Sequence, residues 1–229
     1  MRKYAVIVAG GSGARMGGGI PKQFRNLCGR PVLWWSLKAF HEEDPHTSII
    51  LVLPEQFISL WKDFYDTLPE SEKIPFSIAA GGKTRGESVK NGLALIPDPD
   101  SLVAIHDGAR PLVTPALISR GWAAAQEHGA AIPVMDVTDS LRKRTPNGSE
   151  AVDRNEFAAV QTPQVFHTSL IKEAYNLVGD QSFTDDAAVA EYAGHTVKLF
   201  EGFHKNMKLT HPEDMAVAAL LLKEDNGVF

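Results

Sequence analysis

The sequence predicts an α/β fold with a mostly parallel sheet and helices on both faces. Three observations carry that expectation. Short β-branched or apolar runs alternate with helical stretches through the first 134 residues. The first of these runs ends directly in a glycine-rich loop, and after Val134 the alternation gives way to polar, extended pieces. A strand–helix–strand rhythm makes consecutive strands parallel, because each helical crossover returns the chain to the same end of the sheet.

Tyr4 to Ala9 (YAVIVA) is the first strand, apolar on both faces and therefore buried on both. Pro31 suits the first turn of a helix over Pro31 to Phe40, where its missing N–H has no helical partner. Ser48 to Leu53 (SIILVL) and Phe76 to Ala79 (FSIA) are the next strands, and Thr84 can cap a helix over Arg85 to Leu95. Leu102 to His106 (LVAIH) is the fourth strand. Thr114 with Pro115 opens a helix to about His128, and Ala130 to Val134 (AAIPV) is the fifth strand. Asp136 to Arg154 reads as a protruding hairpin arm, turned at Thr145 to Ser149 (TPNGS). Helices over about Thr168 to Val178 and Asp185 to Tyr192 lead to a strand at Thr196 to Phe200. The last helix, His211 to Lys223, has Pro212 in its first turn and Glu213 and Asp214 where acidic charge favours a helix start. Trp34 and Trp35 in the first helix, and Met215, Val217, Leu220 and Leu221 in the last, read as core by their helical spacing. The economical description is one Rossmann-like domain over residues 1–229 with a β-arm at about 136–154.

Composition narrows the function classes. The chain has 229 residues, 44% apolar and 22% charged, with a formal charge of 23 − 28 = −5. Those fractions suit a folded globular domain and not a disordered segment. A single cysteine, Cys28, excludes an intrachain disulfide framework and a cysteine-based zinc site, and it reads as a small packing residue. The early apolar run is too short for a signal sequence or a membrane span. The expectation is a soluble cytoplasmic protein with no membrane and no nucleic acid among its partners, so any anionic ligand must be captured locally.

The loop after the first strand runs Gly10-Gly-Ser-Gly-Ala-Arg15-Met-Gly-Gly-Gly-Ile-Pro-Lys22. Glycines such as Gly10, Gly11 and Gly13 let a backbone approach a ligand and aim N–H groups at phosphate oxygens. A dinucleotide fingerprint would need glycine at Met16, and a phosphate-binding Walker loop would need Gly-Lys-Ser/Thr where Pro21-Lys22 stands. What remains is a glycine cradle flanked by two cations, Arg15 and Lys22, at the end of a first strand where open α/β sheets bind ligands. That pattern suits a triphosphate.

The same stretch, with Pro21-Lys22-Gln23-Phe24, resembles the signature of nucleotidyltransferases that activate sugar or polyol phosphates. Five further pieces are His106-Asp-Gly-Ala-Arg110-Pro, Val152-Asp-Arg154-Asn, Gln161-Thr162-Pro-Gln164, Thr184-Asp-Asp-Ala187 and Asn206-Met-Lys208. Together, from residue 4 to about 220, they resemble the 2-C-methyl-D-erythritol 4-phosphate cytidylyltransferase family; ribitol-5-phosphate cytidylyltransferases share most of them. The resemblance implies a nucleotide-diphospho-sugar transferase-like fold. It also implies CMP transfer from CTP to a polyol phosphate, with release of pyrophosphate, in non-mevalonate isoprenoid biosynthesis.

The attacking phosphate is already anionic at neutral pH, its second pKa being about 6, so no general base is required. Catalysis is then positioning and charge neutralisation. Arg15 and Lys22 are candidates for stabilising the triphosphate and the pentacoordinate α-phosphorus. A magnesium ion is expected with the triphosphate, and Asp107, at the end of the fourth strand, is the carboxylate best placed to assist it. A turn-capping role for Asp107 competes with that reading. His106 reads as structural.

The resemblance further implies base recognition by backbone groups at Ala9, Gly10 and Gly82 and by Ser88. Arg154, Thr184 and Lys208 would hold the acceptor phosphate, with Arg110, Ser140 and Thr162 nearby. It also implies a homodimer in which the arm carries Ser140 and Arg154 to the partner's site. Lys83 and Lys205 stand where relatives often carry acidic residues, and Arg85 reads as a solvated charge at a helix start. Three alternatives stay open at this point: ribitol phosphate as acceptor, UTP or GTP as donor, and a non-catalytic nucleotide-binding module.

Overall fold

The computed structural model describes residues 1–9, 20–179 and 181–225. Strand β1 (Arg2–Val8) is followed by a small hairpin, β2 (Asn26–Leu27) and β3 (Arg30–Pro31). Helix α1 (Val32–Glu43), strand β4 (Ser48–Leu53), helix α2 (Ile58–Asp66), strand β5 (Phe76–Ala80), helix α3 (Arg85–Ala94) and strand β6 (Ser101–Asp107) continue the alternation. Helix α4 (Pro115–His128) and strand β7 (Ala130–Asp136) precede the arm, formed by β8 (Arg142–Thr145) and β9 (Gly148–Ala151). Strands β10 (Ala158–Val160) and β11 (Gln164–His167), helices α5 (Thr168–Leu177) and α6 (Asp186–Tyr192), strand β12 (Lys198–Glu201) and helix α7 (Asp214–Asp225) complete the chain.

The main sheet runs β5, β4, β1, β6, then β11, β7 and β12, with β10 on the same edge of β7 as β11. The pairings among β5, β4, β1 and β6 are parallel, whereas β11 is antiparallel to both β6 and β7. The expected mostly parallel α/β sheet is present. The antiparallel strands β10 and β11 are not legible in the sequence, since four residues running straight into α5 carry neither a turn signal nor a period of their own.

Period two along β1 explains the two-faced core. Ala5 and Ile7 point to one face, against Leu33, Leu37 and Phe40 of α1, Trp61 of α2 and Ile118 and Trp122 of α4. Tyr4, Val6 and Val8 point to the other, against Val89 and Leu93 of α3, Ile171 and Tyr175 of α5 and Val189 of α6. Each fully buried Leu or Phe in these layers contributes about 1.5–3 kcal/mol of transfer free energy. The helix starts are readable in the sequence: Thr84 accepts from Glu87 N at 3.1 Å and Thr114 from Leu117 N at 3.2 Å. Helix α2 is an addition to the expected elements, although Ile58, Trp61, Phe64 and Tyr65 recur at helical spacing.

Three local expectations are corrected. The last helix begins at Asp214 rather than His211, because the Asp214 carboxylate accepts the N–H groups of Thr210 and His211 at 2.6 and 2.8 Å, leaving Pro212 ahead of the helix. Its buried side is Ala218 and Leu222, packed on Leu27, Val32 and Leu209, while Val217 and Leu220 are exposed. Cys28 is not packed in the core; it is an exposed turn residue with φ +52°.

Candidate active site

The site forms where β1 and β6 end side by side, Val8 opposite Asp107. Beyond that point Gly108 N donates to Val8 O, and Arg110 N to Asp107 O, both at 2.9 Å, so the chain turns sharply over the sheet edge. A cavity of about 260 Å³ opens here, lined among others by Asp107, Arg110, Thr162, Thr184 and Lys208. Four residues expected on the acceptor side thus meet Asp107, the carboxylate expected to assist the metal, in one place although they lie far apart in sequence.

Asp107 is the electrostatic centre. Its Oδ1 accepts from Arg85 Nε at 3.2 Å and its Oδ2 from Lys208 Nζ at 2.7 Å. Burial alone would raise its pKa, but Arg85 and then Lys208 outweigh that and hold the carboxyl well below the usual carboxylate range. Arg85, expected to be a solvated charge, is corrected: its guanidinium donates to both oxygens of the fully buried Asp186, at 2.9 and 2.6 Å. Burial opposes the Arg85 charge, yet Asp186 and Asp107 more than restore it, raising its pKa further. The turn-capping alternative for the Asp107 side chain does not hold, since both its oxygens face cations while its backbone makes the turn.

His106 is structural, as expected. It is fully buried, and that burial pushes its pKa down to about 4 despite the neighbouring Asp107. Its Nε2 faces Arg110 O at 3.2 Å, which places the proton there; Nδ1 then accepts from Thr162 Oγ1 at 3.1 Å. Thr162 Oγ1 in turn accepts Asp107 N at 3.1 Å. Thr162 therefore lines the cavity with its hydroxyl turned to the strand ends. Arg110 donates to Asn206 O at 2.7 Å, and its buried Nε has no protein partner among the described residues. Burial depresses the Arg110 pKa and nearby Arg85 adds to that, whereas Asp107 opposes it, so an arriving anion would be well received.

On the nucleotide side, Gly10, Gly11, Gly13 and Arg15 lie outside the described residues. Ala9 is buried at the end of β1, and its N–H donates to Val52 O at 2.9 Å. Gly82 N donates to Ser88 Oγ at 3.0 Å, and that hydroxyl donates to Thr84 O at 2.9 Å, so the two expected base contacts form one unit at the start of α3. A Cβ at Gly82 would stand 2.3 Å from the Glu87 Cβ; only glycine fits. Lys22, in the single turn Lys22–Phe24, donates to Leu209 O at 2.5 Å, next in sequence to Lys208. Lys83 is exposed, its backbone N–H held by Glu87, and Lys205 pairs with Glu224 at 3.6 Å, away from the cavity lining.

Ser140 and Arg154 do not line the cavity. Both are exposed at the base of the arm, where Arg154 donates to Thr138 O. The β8–β9 hairpin forms its own two-stranded sheet, nearly every residue of it exposed.

The donor chemistry does not fit a metal site built by the protein alone. Among the described residues no three His, Cys, Asp or Glu side chains gather to hold an ion, and each oxygen of Asp107 already faces a cation.

Sequence reasoning passes over several polar residues that build the site. Gln164 Oε1 accepts the first N–H groups of α6, from Asp186 and Ala187, at 3.0 and 2.9 Å. Gln161 brackets Phe203 through both its amide atoms, and Asn206 Nδ2 donates to Thr162 O at 2.8 Å. Each belongs to a motif quoted from the sequence. The available signal is a buried-type polar residue flanking each presumed ligand.

The sequence model of the IspD family, 2-C-methyl-D-erythritol 4-phosphate cytidylyltransferase, matches residues 4–224. The Phocaeicola vulgatus protein of that name is 46% identical over 222 residues, covering 97% of this chain and 100% of the relative. The Porphyromonas gingivalis protein of that name is 43% identical over 227 residues, covering 96% and 98%. Among solved structures, the Thermus thermophilus cytidylyltransferase is 32% identical with a TM-score of 0.77, covering 95% of this chain and 98% of that one. The 4-diphosphocytidyl-2C-methyl-D-erythritol synthase of Anaerococcus prevotii is 28% identical with a TM-score of 0.82, covering 97% and 98%. With the sheet, the strand-end cavity and near full-length likeness in agreement, the chain belongs to the 2-C-methyl-D-erythritol 4-phosphate cytidylyltransferase family.

Proposed function

We propose that this enzyme transfers CMP from CTP to 2-C-methyl-D-erythritol 4-phosphate, giving the CDP-alcohol and pyrophosphate in non-mevalonate isoprenoid synthesis. The observation that carries the reading is the convergence of Asp107, Arg110, Thr162, Thr184 and Lys208 on one cavity at the ends of β1 and β6. A phosphate oxygen of the acceptor forms a bond to the α-phosphorus of CTP, and the bond from that phosphorus to the β-phosphate oxygen breaks. The departing electron pair stays with pyrophosphate.

Proton transfer plays no part on the protein side. The acceptor phosphate is ionised at neutral pH. His106 is neutral and committed at both nitrogens, and Asp107 is ionised and held by two cations. Lys208, Arg110 and Thr184 hold the acceptor phosphate, with Thr162 beside them fixing the backbone of Asp107. Lys22 and Arg15 neutralise charge on the triphosphate and the pentacoordinate phosphorus. Gly82 and Ser88 meet the base, together with Ala9 and Gly10. Substrate oxygens of the triphosphate would chiefly hold a magnesium ion, which would supply charge neutralisation there; Asp107 is the nearby carboxylate expected to assist, with both its oxygens facing Arg85 and Lys208 in this structure.

The exposed arm supports a homodimer in which Ser140 and Arg154 complete the partner's site. An isolated two-stranded hairpin has little stability of its own in water. Among the described residues no helix is long and apolar enough to cross a membrane, and a cytoplasmic setting agrees with that and with the lone cysteine.

Pyrophosphate release tests the reading, with CTP, UTP, GTP and ATP crossed against methylerythritol phosphate, ribitol 5-phosphate and glucose 1-phosphate in the presence of magnesium. Release with CTP and methylerythritol phosphate is expected. Release only with ribitol phosphate would move the acceptor, and none with any pair would leave a binding module.

A further inference from the structure

Arg85 sits where three element ends converge. It is the first residue of α3, Asp186 the first of α6 and Asp107 the last of β6. The two terminal nitrogens of Arg85 take the two oxygens of Asp186, and its Nε takes Asp107. Behind this fork, Tyr175 of α5 donates its hydroxyl to Asp186 Oδ1 at 2.6 Å. Burial and the Asp186 charge push the Tyr175 pKa up, so the hydroxyl keeps its proton. Gln164 fixes the Asp186 backbone from β11. The guanidinium plane is thus set from behind, and its Nε–H points at the site.

The consequence reaches the cavity. With Oδ1 of Asp107 held by Arg85, Oδ2 is the oxygen left for the Lys208 ammonium, which stands at the cavity lining. A buried ion pair is by itself weak support for stability, because desolvation offsets most of its attraction. A fork that also orients a second carboxylate needs another account.

We propose that Arg85 is a positioning residue for the transfer: anchored by Asp186 and Tyr175, it sets the Asp107 carboxylate and, through it, the Lys208 ammonium that meets the acceptor phosphate. The proposal rests on the cytidylyl-transfer reading given above. A lysine at this position cannot do the same, since one ammonium lacks the planar fork that holds Asp186 while reaching Asp107.

The test uses the whole protein and three variants, Arg85→Lys, Tyr175→Phe and Val189→Ala, the last a packing control in α6 outside the ionic network. Pyrophosphate release with CTP and methylerythritol phosphate gives kcat and both KM values, and thermal melting gives Tm. Arg85→Lys should lower kcat/KM for the acceptor about 100-fold, as misplacement of a binding group does. KM for CTP should stay within about twofold. Tyr175→Phe should move the same parameters by about three- to tenfold, the weight of one hydrogen bond. Val189→Ala should lower Tm and leave the acceptor KM alone.

The proposal fails if Arg85→Lys and Tyr175→Phe lower Tm but keep wild-type acceptor kinetics, or if Val189→Ala reproduces their loss. If Arg85→Lys does not fold, Tyr175→Phe decides, because it keeps every charge and removes one hydroxyl. A wild-type enzyme silent with every substrate pair would remove the reading of the site and this proposal with it, an outcome distinct from active wild type with unaffected variants.

Discussion

The ammonium of Lys22 lies 2.5 Å from the carbonyl oxygen of Leu209. The turn that follows the glycine-rich loop is thereby tied to the segment that carries Lys208, and Leu209 itself is tied to Ala109 by a 2.9 Å backbone hydrogen bond. The cation proposed for the triphosphate and the cation proposed for the acceptor phosphate are neighbours through one stretch of main chain.

Lys22→Ala should therefore spare CTP binding and damage turnover. A fall in kcat of about 10²–10³-fold is expected for losing a charge that acts on the transition state. Calorimetric titration with CTP, beside steady-state rates, checks the separation; unchanged turnover would remove the assigned role.

His106 makes stability depend on pH in a defined window. Its folded pKa is depressed to about 4 from an ordinary value of 6.5, so between those values the unfolded chain binds a proton that the folded chain refuses. Stability should therefore be full above pH 6.5 and fall as pH drops toward 4, by about 3 kcal/mol at the end of the window. Urea unfolding at pH 7 and at about pH 4.5 measures it. His106→Gln should flatten that part of the profile, at the cost of a lower plateau.

Gly82→Ala should fail locally. The new Cβ would meet the Glu87 Cβ at 2.3 Å, so the turn before α3 must shift and carry Ser88 with it. A stability loss of about 1–3 kcal/mol is expected from overpacking. KM for CTP should rise more than KM for the acceptor, which steady-state kinetics with each substrate varied would show.

Subunit mixing tests the arm. Arg15→Ala and Arg154→Ala proteins, each inactive alone, should regain activity when unfolded together and refolded. In a two-fold dimer with shared sites, random assortment returns about a quarter of the sites intact. No recovery would mean that Arg154 serves its own chain.

Much of this architecture can be read from residue order. The strand Ser48–Leu53 coincides with its SIILVL run, and the caps at Thr84 and Thr114 are where the sequence places them. Asp107 is legible as a strand-end carboxylate because strand ends in such sheets are where ligands meet side chains. Arg85 is not, since its partner Asp186 lies 101 residues away and nothing local marks either as buried. The short strands β10 and β11 escape for a similar reason: their pairing comes wholly from β6 and β7, not from their own composition. Val217 and Leu220 mislead because a helical apolar stripe shows a face, not whether anything covers it.

Strands β6 and β7 follow each other in the chain with only α4 between them, yet they do not pair; β11 lies between them. As the chain leaves the ribosome, β6 can join β1, but its far edge has no neighbour until residues 164–167 appear. A product ending inside the arm would present a fully buried-type strand as a bare edge, open to pairing with other chains. Folding is thus committed late: the nucleotide-side half is not finished until the acceptor-side half supplies its middle strand.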